Sequence, residues 1–179
     1  QAKIGKINRK SLDGNVVLIT GGGGVLGSQI ARDFSLHGAE VVIIDKNPDK
    51  AKEAAMLCGN NALWLECDIT NDDDIRKVFD SIVKTFGGLD ILISNAGAAW
   101  EGNMNDLNEE VFRESMDLNL FSHQKMAQNS VRIFKSQDYL EENKDQHMGG
   151  QLLFNISKQA INPGPGFGSY GIAKAALLA

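Results

Sequence analysis

Five short apolar runs, each separated from the next by a stretch of helical character, leave this chain few folds to choose from. The runs are VVLIT at 16–20, VVIID at 41–45, ALWLE at 62–66, DILIS at 90–94 and QLLFNIS at 151–157. Short apolar runs without clean alternation suit strands buried on both faces. Between the third and fourth runs the period changes. Ile75, Val78, Phe79, Ile82, Val83 and Phe86 recur at spacings of 3, 1, 3, 1, 3, which puts all six on one helical stripe facing a sheet. Thr70, Asn71 and the acids Asp72, Asp73 and Asp74 precede that stripe and suit the positive end of its helix. Parallel strands need a crossover, so strands alternating with helices predict an α/β class with a doubly wound parallel sheet.

The chain's 179 residues suffice for one domain. A chain of this size buries about 70% of the surface its unfolded form exposes, so it needs no disulfide or metal staple. Cys58 and Cys67 then read as ordinary thiols, with no zinc-ligand pattern around them and no metal expected. They suit a reducing compartment, and the cytoplasm is the default expectation. The net charge is −5 and the 18 Lys and Arg are scattered, which argues against a nucleic-acid surface. No apolar run approaches the roughly 20 residues of a membrane span, and no signal peptide opens the chain. Residues 1–14, with four basic residues and no clear period, read as a linker or the tail of an upstream segment. Residues 136–150 read as a helix end running into a solvated surface loop. A start at Gln1 and an end in the helix-like AKAALLA suggest a piece of something longer.

The first strand runs directly into TGGGGVLGSQIARDF. Gly22, Gly24 and Gly27 satisfy G-x-G-x-x-G, and with Gly21, Val25 and Leu26 they form a candidate phosphate cradle. A tight turn brings backbone close to a pyrophosphate, and the free N–H groups of a helix N-terminus hold the anion. This is the Rossmann arrangement of strand, glycine turn and helix. Asp45 lies 18 residues after Gly27, at the end of the second strand, where a carboxylate accepts hydrogen bonds from ribose hydroxyls and repels a 2′-phosphate. That favours NAD over NADP, with Lys46 next door as the contrary signal. Asp68 and Ile69 follow the third strand. The Asp68 carboxylate either meets an adenine amino group or caps the following helix. Asn95, Ala96 and Gly97 follow the fourth strand, where small side chains let a cofactor lie against backbone. All of these fall at the carboxyl ends of strands, where open parallel sheets bind ligands.

Ser157 closes the fifth run, Tyr170 stands thirteen residues on, and Lys174 four after that. Tyr170 and Lys174 are i and i+4 on a helix, so an ammonium can reach beneath a phenol from the same face. A nearby positive charge favours a phenolate and makes tyrosine a usable proton donor and acceptor. A serine hydroxyl beside them can hydrogen-bond a substrate oxygen whose charge changes as hydride moves.

Taken in order, TGGGGVLG, Asp45, Asp68, SNAG at 94–97, Asn119 in DLNL, Ser157 and Tyr170-x-x-x-Lys174 resemble the motifs of the short-chain dehydrogenases/reductases, over about residues 14–179. The resemblance implies that Tyr170 is the general acid/base. It implies that Lys174 lowers the Tyr170 pKa and binds the nicotinamide ribose, that Ser157 polarises the substrate oxygen, and that Asn119, in a long helix, helps hold a proton-relay water. A homodimer or homotetramer acting on a small-molecule substrate is implied as well. Three departures stand out. The family's middle glycine falls on Val25. Asn119 and Ser157 are 38 residues apart, with the 136–150 stretch taking up the excess. The chain also ends in the Tyr/Lys helix, before the strands and substrate-covering loop that family members add. The loop at Pro163, Gly164, Pro165, Gly166, Phe167 and Gly168 either borders a substrate site or is only a turn. The N-terminal QAKIGK and the SKQ after the fifth strand faintly resemble the dehydrogenase half of fused aldolase and short-chain dehydrogenase proteins acting on sugar-derived substrates.

The function expected is hydride transfer between NAD(P) and a secondary alcohol, its carbonyl or a sugar-derived aldehyde. The alternative is a dinucleotide-binding sensor or interaction module without turnover.

Overall fold

The computed structural model describes residues 11–59, 62–103, 105–140 and 149–179. Five parallel strands form one sheet: β1 (Val16–Thr20), β2 (Glu40–Asp45), β3 (Leu63–Glu66), β4 (Ile91–Ser94) and β5 (Gln151–Phe154). Their spatial order is β3-β2-β1-β4-β5. The chain winds outward from β1 to β3, then returns to lay β4 on the other side of β1, so the crevice of the topological switch opens between β1 and β4. Helices α1 (Val25–Leu36), α2 (Pro48–Leu57), α3 (Asp72–Phe86), α4 (Glu109–Met116), α5 (Ser122–Leu140) and α6 (Gly168–Leu178) make the crossovers and the end of the chain. Among the described residues no helix is long and apolar enough to cross a membrane.

Alternate residues of the central strands feed two separate cores. Val16 and Leu18 of β1 and Val42 and Ile44 of β2 point to the face covered by α3 and α5, where they meet Ile75, Val78, Phe79, Ile82, Met126 and Phe134. Val17, Ile19, Val41 and Ile43 point the other way, onto Ala31 of α1 and Ala51, Ala54 and Ala55 of α2. The alanines let those two helices lie close to the sheet.

Four expectations need correction. Strands β1, β2 and β4 are buried on both faces, but β3 and β5 lie at the sheet edges and alternate between half-buried and exposed residues. The fifth strand stops at Phe154, which leaves Asn155 and Ser157 beyond the ladder. In the α3 stripe, Ile75, Val78, Phe79 and Ile82 are buried and Phe86 packs against them, but Val83 is 45% exposed. Asn71, rather than Asp68, caps α3, its Oδ1 accepting the N–H groups of Asp73 and Asp74. Asp68 instead folds its own turn, accepting from the N–H and hydroxyl of Thr70.

Of the segments that break the strand–helix rhythm, residues 1–10 and 141–148 lie outside the described residues. Leu12 packs against the α1/α2 core and its N–H donates to His37 O at 3.0 Å, so the ordered domain reaches back into the stretch read as linker. The α5 helix carries the polar stretch as far as Leu140.

Candidate active site

A cleft of about 700 Å³ opens at the carboxyl ends of β1 to β4. Gly21, Gly24, Val25, Leu26, Gly27, Asp45, Asp68, Ile69, Asn95, Ala96 and Gly97, the residues expected to meet a dinucleotide, all line it. Gly22 does not. It packs behind the loop, where a Cβ would stand 2.7 Å from Ile43 Cγ2.

The phosphate cradle is made of backbone, and its shape depends on missing side chains. Gly21 turns the chain at φ +60°, and a Cβ there would lie 2.8 Å from Ala96 Cα. At Gly27, in the first turn of α1, a Cβ would collide with Gly21 O and with Gly22 Cα. Gly24 precedes the helix with no side-chain cap, so the first-turn N–H groups of α1 have neither an intrahelical partner nor a capping oxygen. Val25 and Leu26, the first two residues of α1, are 89% and 54% exposed at the cleft wall. That accounts for Val25 standing where the family has a glycine: its side chain points away from the packed loop. Asp45 is fixed at the mouth, its Oδ2 accepting from Gly23 N–H at 3.1 Å and its Oδ1 from Asn47 N–H at 3.0 Å. Lys46 lines the same mouth. These groups fit a dinucleotide: a bare helix N-terminus for the pyrophosphate and a held carboxylate for a ribose.

The four expected catalytic residues are not on this wall but next to it. Lys174 is 2% exposed; its Nζ donates to Asn155 O at 3.1 Å and stands 5.9 Å from the Tyr170 ring centroid. Burial brings its pKa down from 10.5 to about 8. Asn119 is buried, not in a regular long helix but in a π-helical stretch, Asp117–Phe121, between α4 and α5. Wide turns of this kind recur at functional sites because they aim a side chain out of register. Here the Asn119 amide grips the loop after β4: Nδ2 donates to Ala98 O at 2.8 Å and Ser115 O at 3.1 Å, and Oδ1 accepts from Ala98 N–H at 3.2 Å. Gly97 joins the two halves. A Cβ there would lie 2.9 Å from Asn119 Oδ1 and 3.6 Å from Lys174 Nζ. Ser157 is half-buried, its Oγ accepting from Gln159 N–H at 3.2 Å, and the turn it caps, Lys158–Ala160, packs on α6.

Several residues of the site escaped the sequence reading. Gln159 is buried and its Oε1 accepts from Gly164 N–H at 2.7 Å, while Gly102 N–H donates to Gly166 O at 2.9 Å, so the Pro163–Gly168 loop is tied down on both sides. His123, wholly buried, pairs its Nδ1 with Ser94 Oγ at 2.7 Å. Burial first, then the Lys174 charge, push its pKa down to about 4 against an opposing pull from the Ala96 carbonyl, so the ring is neutral at pH 7. Trp100, Glu114, Asp117 and Leu118 extend the cleft wall beyond the expected set. Asn155, one residue past β5, also lines the cleft and was not singled out in the sequence. These positions depend on contacts that only the fold creates. Cys67 lines the cleft, buried, its thiol pushed up to about 12 by burial and by Asp74 and Asp68; Cys58 is half-buried.

Comparison with known proteins adds a consistent picture. The family model described as short chain dehydrogenase matches residues 15–179. The chain is 32% identical over 169 residues to short-chain dehydrogenase reductase 5 of Arabidopsis thaliana, covering 93% of this chain and 62% of that protein. It is 34% identical over 172 residues to an uncharacterized oxidoreductase of Thermotoga maritima, with coverage of 94% and 63%. The crystal structure of a short-chain type dehydrogenase/reductase from Mycobacterium marinum superposes with a TM-score of 0.86 at 27% identity, covering 95% of this chain and 65% of that one. The chain thus spans a little over three fifths of the length of the curated relatives it matches.

Proposed function

The chain belongs to the short-chain dehydrogenase/reductase family, and from that premise we propose that it carries the dinucleotide site and the proton-transfer residues of an NAD-dependent oxidoreductase that interconverts an alcohol and its carbonyl. The observation that carries this reading is the buried Lys174 ammonium, held by Asn155 O on the same helix face as Tyr170. A lysine buried to this degree without a carboxylate partner among the described residues is costly, and groups perturbed in this way cluster at functional sites.

The first turn of α1, with Gly21, Gly24 and Gly27, would hold the pyrophosphate, and Asp45 the adenosine ribose. Asp68 and Ile69 would flank the adenine, with Asn95, Ala96 and Gly97 beneath the remainder. The bound nicotinamide would take up or return a hydride. The Tyr170 phenol would accept the proton of the substrate hydroxyl in oxidation and return it in reduction. Lys174 would keep a positive charge beside that phenol, and Ser157 Oγ would hydrogen-bond the substrate oxygen. Asn119 would act through the loop it grips at Ala98. A secondary alcohol or a sugar-derived aldehyde is the substrate class proposed, in a homodimer or homotetramer. NAD is favoured over NADP because the Asp45 carboxylate is pinned at the mouth by two backbone N–H groups.

Two measurements test this. Titration calorimetry should give tighter binding of NAD than of NADP, with Asp45→Asn narrowing the gap by about tenfold. Turnover on a panel of alcohols and aldehydes should fall 10²- to 10⁴-fold or so in Tyr170→Phe, the usual range for removing a general acid/base. Tight NAD binding with no turnover on any of them would instead support a sensor.

A further inference from the structure

Asn155 stands at the junction of the two halves of the site, one residue past the end of β5. It reaches three neighbours at once. Its N–H donates to Ser94 O at 2.9 Å, its carbonyl accepts from Lys174 Nζ at 3.1 Å, and its side-chain Nδ2 donates to Asn95 Oδ1 at 2.9 Å. Asn95 is in turn fixed to the first strand. Its N–H donates to Thr20 Oγ1 at 2.9 Å, and its Nδ2 donates to Thr20 O at 3.0 Å and Gly21 O at 3.3 Å. The path from the phosphate loop to the Tyr/Lys helix therefore runs Gly21, Thr20, Asn95, Asn155, Lys174.

The polarity of that path is set by its chemistry. Two carbonyls claim the Asn95 amide nitrogen, so its oxygen must face Asn155 and needs a donor there. An apolar side chain at 155 removes that donor and leaves the oxygen to water, and a carboxylate opposes it with a second acceptor. Asn155 is nonetheless exposed and lines the cleft, so packing does not explain the choice of residue.

We propose that Asn155 is a positioning residue that sets Lys174 relative to the phosphate loop, so that the two ends of a dinucleotide are gripped in register. This rests on the dinucleotide site proposed above. The test compares NAD with ADP, which carries the adenosine and diphosphate but nothing that reaches Lys174. In the full chain, Asn155→Leu and Asn155→Ala should each weaken NAD binding about tenfold while ADP binding stays within about twofold, with thermal midpoints recorded alongside. In a Lys174→Met background, Asn155→Leu should then cost NAD no further affinity relative to ADP, because the path already lacks its last member.

Equal losses for NAD and ADP would mark a merely structural role and overturn the proposal. So would unchanged NAD binding in both single variants, or a second full loss in the double variant. An unsubstituted chain that binds neither NAD nor ADP is a different failure, and it removes the dinucleotide site along with this inference.

Discussion

Gly27 and Lys174 belong to the two halves of the proposed site and are held in place for opposite reasons. At Gly27 there is no room even for a methyl group, since a Cβ would run into Gly21 O and Gly22 Cα. At Lys174 a long cationic side chain is buried to 2% exposure, hydrogen-bonded to the Asn155 main-chain oxygen and without a carboxylate partner among the described residues. One half of the proposed site is shaped by absent side chains and leaves the first-turn N–H groups of α1 without a side-chain cap. The other half is shaped by a side chain kept where water would stabilise it better. The first half costs backbone entropy at its glycines but buries no charge, whereas the second carries a standing electrostatic cost. Substitutions should therefore damage stability in the first half and relieve it in the second.

Gly27→Ala should give the largest loss. The added methyl meets backbone on two sides, and neither Gly21 nor Gly22 can yield without moving β1 or the loop packed on Ala96 and Ile43. A cost of about 3 kcal/mol, at the upper end of overpacking, is expected in urea unfolding, with dinucleotide binding lost because the first turn of α1 shifts. A variant that unfolds at the same urea midpoint and still binds NAD would show that the cradle is softer than its contacts imply, and the contrast with Lys174 would go with it.

Lys174→Met should move stability the other way, and the effect should depend on pH. The lysine pKa lies at about 8 in the fold against 10.5 when solvated. Below pH 8 the folded chain holds a buried charge and bears the whole desolvation cost. Between pH 8 and 10.5 the unfolded chain binds a proton that the folded one has released, so wild-type stability rises by about 1.4 kcal/mol per pH unit, roughly 3 kcal/mol in all. Methionine has no such rise. At pH 7 the variant should be the more stable by about 2 kcal/mol, after allowing about 1 kcal/mol for the lost bond to Asn155 O. The advantage should shrink steadily as the pH passes 8. Chemical denaturation from pH 7 to pH 11 measures it, and a difference that does not change with pH would mean that Lys174 is not desolvated. The same variant should lose turnover, which separates what stabilises the fold from what the site requires.

The two halves also differ in how far the sequence reveals them. The glycine turn, the strand ends at Asp45, Asp68 and Asn95, and the helix carrying Tyr170 and Lys174 are all local patterns, in which spacing along the chain maps directly onto one turn or one helix face. The exposure of β3 and β5 is not local, because it depends on the order β3-β2-β1-β4-β5, and apolar runs such as ALWLE look alike at an edge and in the centre. Val83 fits the α3 stripe by period yet lies past the edge of what the sheet covers. Asn155 and His123 act through partners such as Asn95 and Ser94, 60 and 29 residues away in sequence, so nothing in their own neighbourhoods marks them, and Gln159 acts on Gly164 only through the fold of the loop between them. Asn119 was expected from the resemblance, but nothing local in the sequence marks its π-helical setting or its amide's bonds to Ala98 and Ser115.

Val25→Gly should have the smallest effect, and for that reason it sharpens the contrast most finely. The substitution restores the family's middle glycine at the first residue of α1. If every glycine of the loop were needed for want of space, Val25 would be a defect and its replacement would improve binding. The structure separates the positions instead. Gly21 and Gly27 each face backbone within a forbidden distance, while Val25 is 89% exposed and displaces nothing in the protein. The expected result is a stability loss of about 0.5–1 kcal/mol from the added freedom of glycine, and a change in NAD affinity of less than about threefold. A large gain in affinity would mean that the valine side chain intrudes on the pyrophosphate. The cradle would then be shaped by a side chain after all, and the opposition between the two halves of the site would no longer hold.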